Sequence, residues 1–245
     1  MQDTWKIRPN LNLDFGLRYE MATVPSEVHG KFVSLRNLTD TQPRVGKQVF
    51  GNPTLRNFEP RLGFAWSPFS DSKTVVHGGV GLFDVLPLPY VVQLLQVRPA
   101  PFNSIGGLNS GLAGTFYTGA YSLLTPNTLA STFIQQNPKR NYVATWHLNV
   151  QREVTPNFAF IVGCVGSRGV HQQFKVDDAD MTLPTLTSAG YVFPYSTTGT
   201  PPPTLNPNFS AIGSLWWDGH SSYDGLQVGA TKRLSRGFQF KASYT

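Results

Sequence analysis

The chain has 245 residues and a formal charge of +6, with 14% charged and 13% aromatic residues. It is too aromatic for a disordered chain, and its charge falls well below the roughly 25% of an ordinary soluble protein. Its apolar stretches stay far short of the ~18 residues of a membrane-spanning helix, which excludes a helical membrane protein. The single cysteine, Cys164, excludes an internal disulfide framework and a Cys-rich zinc site. The basic residues are scattered without a run, so the positive balance reads as solvated surface and no nucleic-acid partner is expected. The first residues lack the basic-then-apolar pattern of a secretory signal, so an exported protein of this kind is expected to carry sequence in front of them.

The clearest period along the chain is two. After a short first strand over 3–7 and the Arg8-Pro9-Asn10 turn, Leu11, Leu13, Phe15, Leu17 and Tyr19 share one face. Asn12, Asp14, Gly16, Arg18 and Glu20 share the other. Successive strand side chains point to opposite sides, so this segment builds a sheet with one apolar and one polar surface. The same alternation predicts strands over 11–22, 59–68, 74–84, 142–154, 158–167, 222–234 and 238–245. Residues 74–84 are rich in glycine, with Val76, Val80 and Leu82 on the apolar face, and Ile161 falls among the polar positions of its strand.

The eight strands are joined in two ways. Arg8-Pro9-Asn10, Phe69 to Lys73, Thr155-Pro156-Asn157 and Ser235-Arg236-Gly237 carry the Pro, Asn, Asp and Gly chemistry of tight reversals. Residues 23–58, 85–141 and 168–221 are long and rich in Pro, Gly, Ser, Thr and Asn. In an antiparallel meander, alternate connections lie at opposite ends, so all short turns fall at one end and all long loops at the other. Outer-membrane barrels show that asymmetry. The strand lengths agree with the ~9–11 residues a tilted membrane strand needs. Trp5, Tyr19, Trp66, Tyr223 and Tyr244 sit near strand ends, where an interfacial girdle would place them. The fold expected is all-β: an up-and-down antiparallel meander of about eight long strands, an open segment of a transmembrane β-barrel.

Seven ordered segments carry a family resemblance. They are Trp5 to Leu11 running on through Gly16-Leu17-Arg18-Tyr19-Glu20, Asn57 to Trp66, Lys73 to Gly79, Trp146 to Glu153, Val165 to Gly169, Ser222 to Gln227, and Lys232 to Gln239. Together they resemble the C-terminal barrel of Oar-like TonB-dependent outer-membrane receptors. The resemblance implies that 1–245 is a partial receptor barrel domain from the outer membrane of a Gram-negative bacterium, without plug domain or signal peptide. Whole receptors of this kind have about 22 strands. The implied partners are outer-membrane lipid, an unknown extracellular ligand, and the TonB complex through the missing N-terminal plug. An open piece leaves two edges of unpaired backbone groups in lipid, so these residues alone are not expected to form a functional pore.

Local chemistry is sparse. His77 and His147 fall in strands and His29, His171 and His220 in loops, with no two at ligand spacing on one element. Asp177-Asp178-Ala179-Asp180 would supply oxygen ligands for Ca²⁺ but lacks the glycine and distal glutamate of an EF-hand loop, so it reads as solvated charge. Gly163 to Gly169 lacks the Lys-Ser/Thr of a phosphate loop and reads as a strand running into a loop. Cys164 falls on the apolar parity, and Lys232 reads as an interfacial lysine. Trp216 and Trp217, in the last long loop, are candidates for ligand stacking. No catalytic residue, cofactor or metal site is expected. Three functions compete: a receptor or transporter binding and importing a ligand, a surface adhesion protein without transport, and a self-contained barrel hydrolase. The last would need a Ser/His/Asp set at the rim, and none is evident, so an enzyme is not expected.

Overall fold

The computed structural model describes residues 2–51, 55–107, 119–194 and 204–245. Thirteen strands are present among them: β1 (Gln2–Arg8), β2 (Leu11–Tyr19), β3 (Phe32–Ser34), β4 (Arg44–Gly46), β5 (Phe58–Trp66), β6 (Thr74–Asp84), β7 (Ala130–Ile134), β8 (Tyr142–Thr155), β9 (Phe158–Val176), β10 (Thr185–Thr187), β11 (Gly190–Val192), β12 (Ala211–Ser235) and β13 (Phe238–Tyr244). One α-helix, α1 (Pro89–Gln96), lies between β6 and β7. No described helix is long and apolar enough to cross a membrane.

Eight of these strands form the wall, in the order β1-β2-β5-β6-β8-β9-β12-β13 with every neighbour antiparallel. They are the eight strands the alternation predicts. β1 and β13 are the two ends of that order, so the sheet is open. Three turns close in two residues: Pro9-Asn10, Pro156-Asn157 and Arg236-Gly237. Each is preceded by a one-residue register shift, at Lys6/Arg8, Glu153/Thr155 and Lys232/Ser235. Arg236 and Gly237 both have positive φ, of 53° and 76°. That is the conformation whose twist matches a right-handed hairpin.

The registers line up the two faces. Leu11, Trp66, Val76, Val150, Val162, Val228 and Tyr244 form one row across seven strands. Leu13, Phe64, Gly78, Leu148, Cys164 and Leu226 form the next. This face is left bare. Leu62 is 60% exposed and Leu226 61%, so nothing among the described residues packs over it. Charge on this face sits near the strand ends. Arg8, Arg152 and Lys232 stand beside the tight turns, and Arg168 and Asp224 pair at 2.8 Å on the loop side. Asp3, on the outermost strand β1, is an exception. On β12, Lys232 and Asp224 bracket Leu226, Val228 and Ala230. Their separation is about 26 Å along the strand at ~3.3 Å per residue, or ~20 Å upright at a tilt near 40°, comparable to the ~25 Å apolar band of a membrane barrel.

The aromatic girdle follows in part. Tyr19, Trp66 and Tyr244 lie on the bare face, with Trp146 beneath the Arg168 guanidinium at 5.3 Å. Tyr223 does not belong to it. Tyr223 pairs with Ser167 on the opposite face and lies back over its own Gly225.

The long connections differ from the expectation. Strand β9 runs to Val176 and β12 starts at Ala211, so much of 168–221 is strand. The signal was hidden because the β9–β12 register shifts around Gly219, which breaks strict alternation. The remaining loop residues fold into a compact cap with its own apolar core. Val49, Phe50, Val92, Leu95, Ile134, Leu215 and Trp217 form one cluster, and Leu35, Phe133 and Ile212 another. Strand β7, buried along its whole length, pairs in parallel with the first residues of β12. Its Phe133 bridges to Leu35 just beyond β3. The chain therefore hides its apolar core in the loops and leaves its wall uncovered, the reverse of a water-soluble sandwich.

Candidate functional site: the inward face and its mouth

The polar face is built from the alternate residues of the same strands. One row reads Thr4, Asp14, Gly63, Gly79, His147, Val165 and Gly225. Where Gly63, Gly79 and Gly81 come together the wall has no side chains, leaving a trough of about 390 Å³ edged by Asp14, Arg61, His77, Thr145 and His147. The glycines have a second effect. A Cβ on Gly79 would lie 3.1 Å from Cε1 of His147, and one on Gly163 would overlap the Asn149 amide. Polar side chains of β8 thus lie down over the bare backbone of both neighbouring strands. Arg61 is fixed by Glu59, 3.0 Å away, and by the Phe83 ring, 4.4 Å below its guanidinium.

At the loop end the wall meets the cap. Arg140 donates to both oxygens of Asp84, at 2.7 and 2.9 Å, and to the Phe58 carbonyl at 2.8 Å. One side chain thereby ties β5, β6 and the approach to β8. The Asp84 hydrogen bond raises the Arg140 pKa further above its ordinary value. Beside this node, Asn57, Asp84, Arg140 and Asn141 face Phe50 and Trp217 across a cavity of about 30 Å³. Among the described residues, the side-chain oxygens of Asn57 and Asn141 find no donor there, and a cavity of that size has room for one water.

Trp216 and Trp217 lie on β12 rather than in a loop. Trp217 is 2% exposed and stacks on Phe50 at 5.1 Å. Trp216 packs on Phe133 at 4.7 Å and donates from Nε1 to Ser214. Both tryptophans build the cap, and ligand stacking by Trp217 would require the cap to open.

The acidic cluster is also structural. Asp178 accepts from the N–H groups of Asp180 and Ile212, and Asp177 pairs with Lys175 at 2.6 Å. The Lys175 hydrogen bond, then its charge, holds the Asp177 carboxyl below its ordinary range. Gly163 to Gly169 is continuous strand inside β9, with no loop entered. Cys164 is exposed on the bare face and Lys232 stands beside its turn, as their parity predicted.

The histidines are the signal that spacing within one element could not reveal. His77 and His147 come together across β6 and β8, ring centres 6.3 Å apart. His171 and His220, both in strands rather than loops, come together across β9 and β12 at 5.8 Å.

A family model described as "outer membrane beta barrel domain" matches residues 1–245. The chain belongs to that family. Its bare face is the lipid-facing wall of an outer-membrane barrel, and its polar face looks into the lumen. The same parities fix which side of every wall residue meets lipid. Two solved structures align over nearly the whole chain. The siderophore receptor PirA from Pseudomonas aeruginosa is 12% identical with a TM-score of 0.49, the alignment covering 99% of this chain and 32% of PirA. The FrpB iron transporter from Neisseria meningitidis (F3-3 variant) is 11% identical with a TM-score of 0.35, covering 96% and 32%. The chain thus spans about a third of the length of either. No curated protein matches the sequence.

Proposed function

We propose that this outer-membrane barrel domain is the wall and mouth of a TonB-dependent receptor that binds a ligand outside the cell and imports it through the lumen. The observation that carries the reading is the folded cap. Loops that only connected strands would not bury Phe50 and Leu95 with Ile134 of β7 and Leu215 and Trp217 of β12 in one apolar core. At ~1.5–3 kcal/mol for each fully buried large apolar side chain, the cap is held as a shaped surface above a polar lumen. Such a surface captures a ligand by contact area and hands it to groups such as Asp14, Arg61 and His147 along the wall. The chemistry is binding and passage, without a covalent step. The Oar-like segments support the TonB-dependent class, and the coupling to TonB would act through a plug domain outside these residues. A siderophore, the ligand class named for PirA, is one candidate cargo.

Cells carrying the full-length gene, and cells deleted for it, should be compared for accumulation of radioiron supplied on mixed siderophores, with and without a protonophore. Energised accumulation that needs the gene supports import of iron complexes. Surface retention that a protonophore leaves untouched, with nothing entering the cell, favours the alternative of a surface adhesion protein.

A further inference from the structure

Four of the chain's five histidines stand in two cross-strand pairs. We infer that the outer pair, His171 and His220, is a binding site for a divalent transition-metal ion of the class imidazole favours, such as Cu²⁺, Ni²⁺ or Zn²⁺. This site is separate from the ligand passage proposed above and does not depend on it.

Three observations converge on the pair. The first is spacing. With metal–nitrogen bonds near 2.0–2.1 Å, two imidazoles sharing an ion at nitrogen–metal–nitrogen angles of about 100–140° have ring centres about 5–6 Å apart. His171 and His220 stand at 5.8 Å. The second is the tautomer. His171 Nδ1 lies 3.1 Å from the Arg140 carbonyl oxygen. A carbonyl can only accept, so Nδ1 carries a proton and Nε2 is the nitrogen left to face a metal. A backbone acceptor on the far nitrogen is what orients histidine ligands generally. The Arg140 guanidinium itself is turned to Asp84, so its charge is already paired.

The third is the backbone. His171 has φ of 52°, a left-handed conformation that a non-glycine residue adopts at a cost. It sits where β9 carries one extra residue against β12, between the Gly169–Ser221 and Gln172–Gly219 pairs. Such a bulge re-aims a side chain, and here it brings the ring of His171 to that of His220. Gln172 pins the distortion by donating to the Tyr142 carbonyl at 3.0 Å. His171 is half-buried and His220 exposed, so water or a ligand can complete the coordination shell. The inner pair lacks these features. His77 and His147 are 6.3 Å apart, and among the described residues neither ring has an orienting hydrogen bond.

The test is Cu²⁺ binding to the full-length protein in detergent, followed by electron paramagnetic resonance. One equivalent showing nitrogen hyperfine structure is expected. Its affinity should fall about tenfold or more in both His171→Asn and His220→Ala, and should not change in His77→Ala. Asn at 171 tolerates the left-handed backbone, so its loss of copper is not a loss of fold. Absence of copper binding in the wild type would overturn the assignment. So would copper retained in both outer variants, or lost only in His77→Ala.

Discussion

The backbone N–H of Asn206 donates to Oδ1 of Asp180 at 2.5 Å, with each residue only 1% exposed. The same asparagine donates from Nδ2 to the carbonyls of Leu38 and Asp40, at 2.7 and 2.9 Å. Two loops more than 160 residues apart in sequence are therefore clamped at one side chain. Asp180 pays for its place there: burial, ahead of the nearby Asp178 charge, raises its pKa above the ordinary 3.8, against the lowering by the Asn206 N–H. Oδ2 has no partner.

A raised carboxyl pKa means that the folded cap holds this proton more tightly than the unfolded chain. Between 3.8 and the raised folded value, cap stability should fall as pH rises through that window. Asp40, whose pKa is lowered first by the Asn37 N–H, acts oppositely: its contribution is present above 3.8 and is lost as pH falls through its folded value. Hydrogen exchange of residues 177–182 and 204–210 against pH is the measurement. Asp180→Asn should flatten the slope above 3.8 and slow exchange at pH 7, since a buried amide costs less than a buried charge. An unchanged slope in the variant would remove Asp180 as its source.

Removing the clamp should hurt more. Asn206→Ala takes the donor from the half-buried Leu38 and Asp40 carbonyls, at about 1 kcal/mol for each hydrogen bond lost. Faster exchange should appear in 38–40 and 204–210 together. Loss of protection in one segment alone would show that the two loops are not coupled.

Trp217→Ala opens a void between Phe50 and the other core residues of the cap. A truncation of this size costs about 3–5 kcal/mol. Proteolysis of the loops in intact cells should accelerate sharply, while the strands keep their heat-modifiable gel mobility. If the gel shift is lost as well, the cap and the wall fold as one unit.

The two faces are separable by neighbouring residues. Leu226 points to lipid and Gln227 to the lumen. Arginine near the middle of a lipid face costs about 2–4 kcal/mol, so Leu226→Arg should cut the yield of assembled protein in the outer membrane. Gln227→Arg should assemble normally. Equal effects would contradict the assignment of faces.

Arg140→Lys keeps the charge but loses the fork that grips both oxygens of Asp84, whose side chain is 2% exposed. A loss of about 1–3 kcal/mol is expected, read as faster exchange at the loop ends of β5, β6 and β8. Arg140→Ala should cost more, since it leaves a buried carboxylate unpaired.

The wall was legible in the sequence because alternation is a local property. Leu11 to Tyr19 and Phe238 to Tyr244 declare their faces without reference to any other strand, and Pro9-Asn10 and Arg236-Gly237 declare their turns. The cap was not legible. Ile212, Leu215 and Trp217 are irregularly spaced, and what buries them comes from far away in the chain: Leu35 and Phe133 for Ile212, and Phe50, Leu95 and Ile134 for Leu215 and Trp217. The histidine pairs were hidden for the same reason. Residues 171 and 220 meet through a bulge and a cross-strand register, neither of which leaves a period in the sequence. Sequence alone determined which side of each wall strand is apolar, since that depends only on the two-residue pleat. The tertiary structure decided which residues of the loops make a core, because burial there is set by contacts between segments that no local pattern connects.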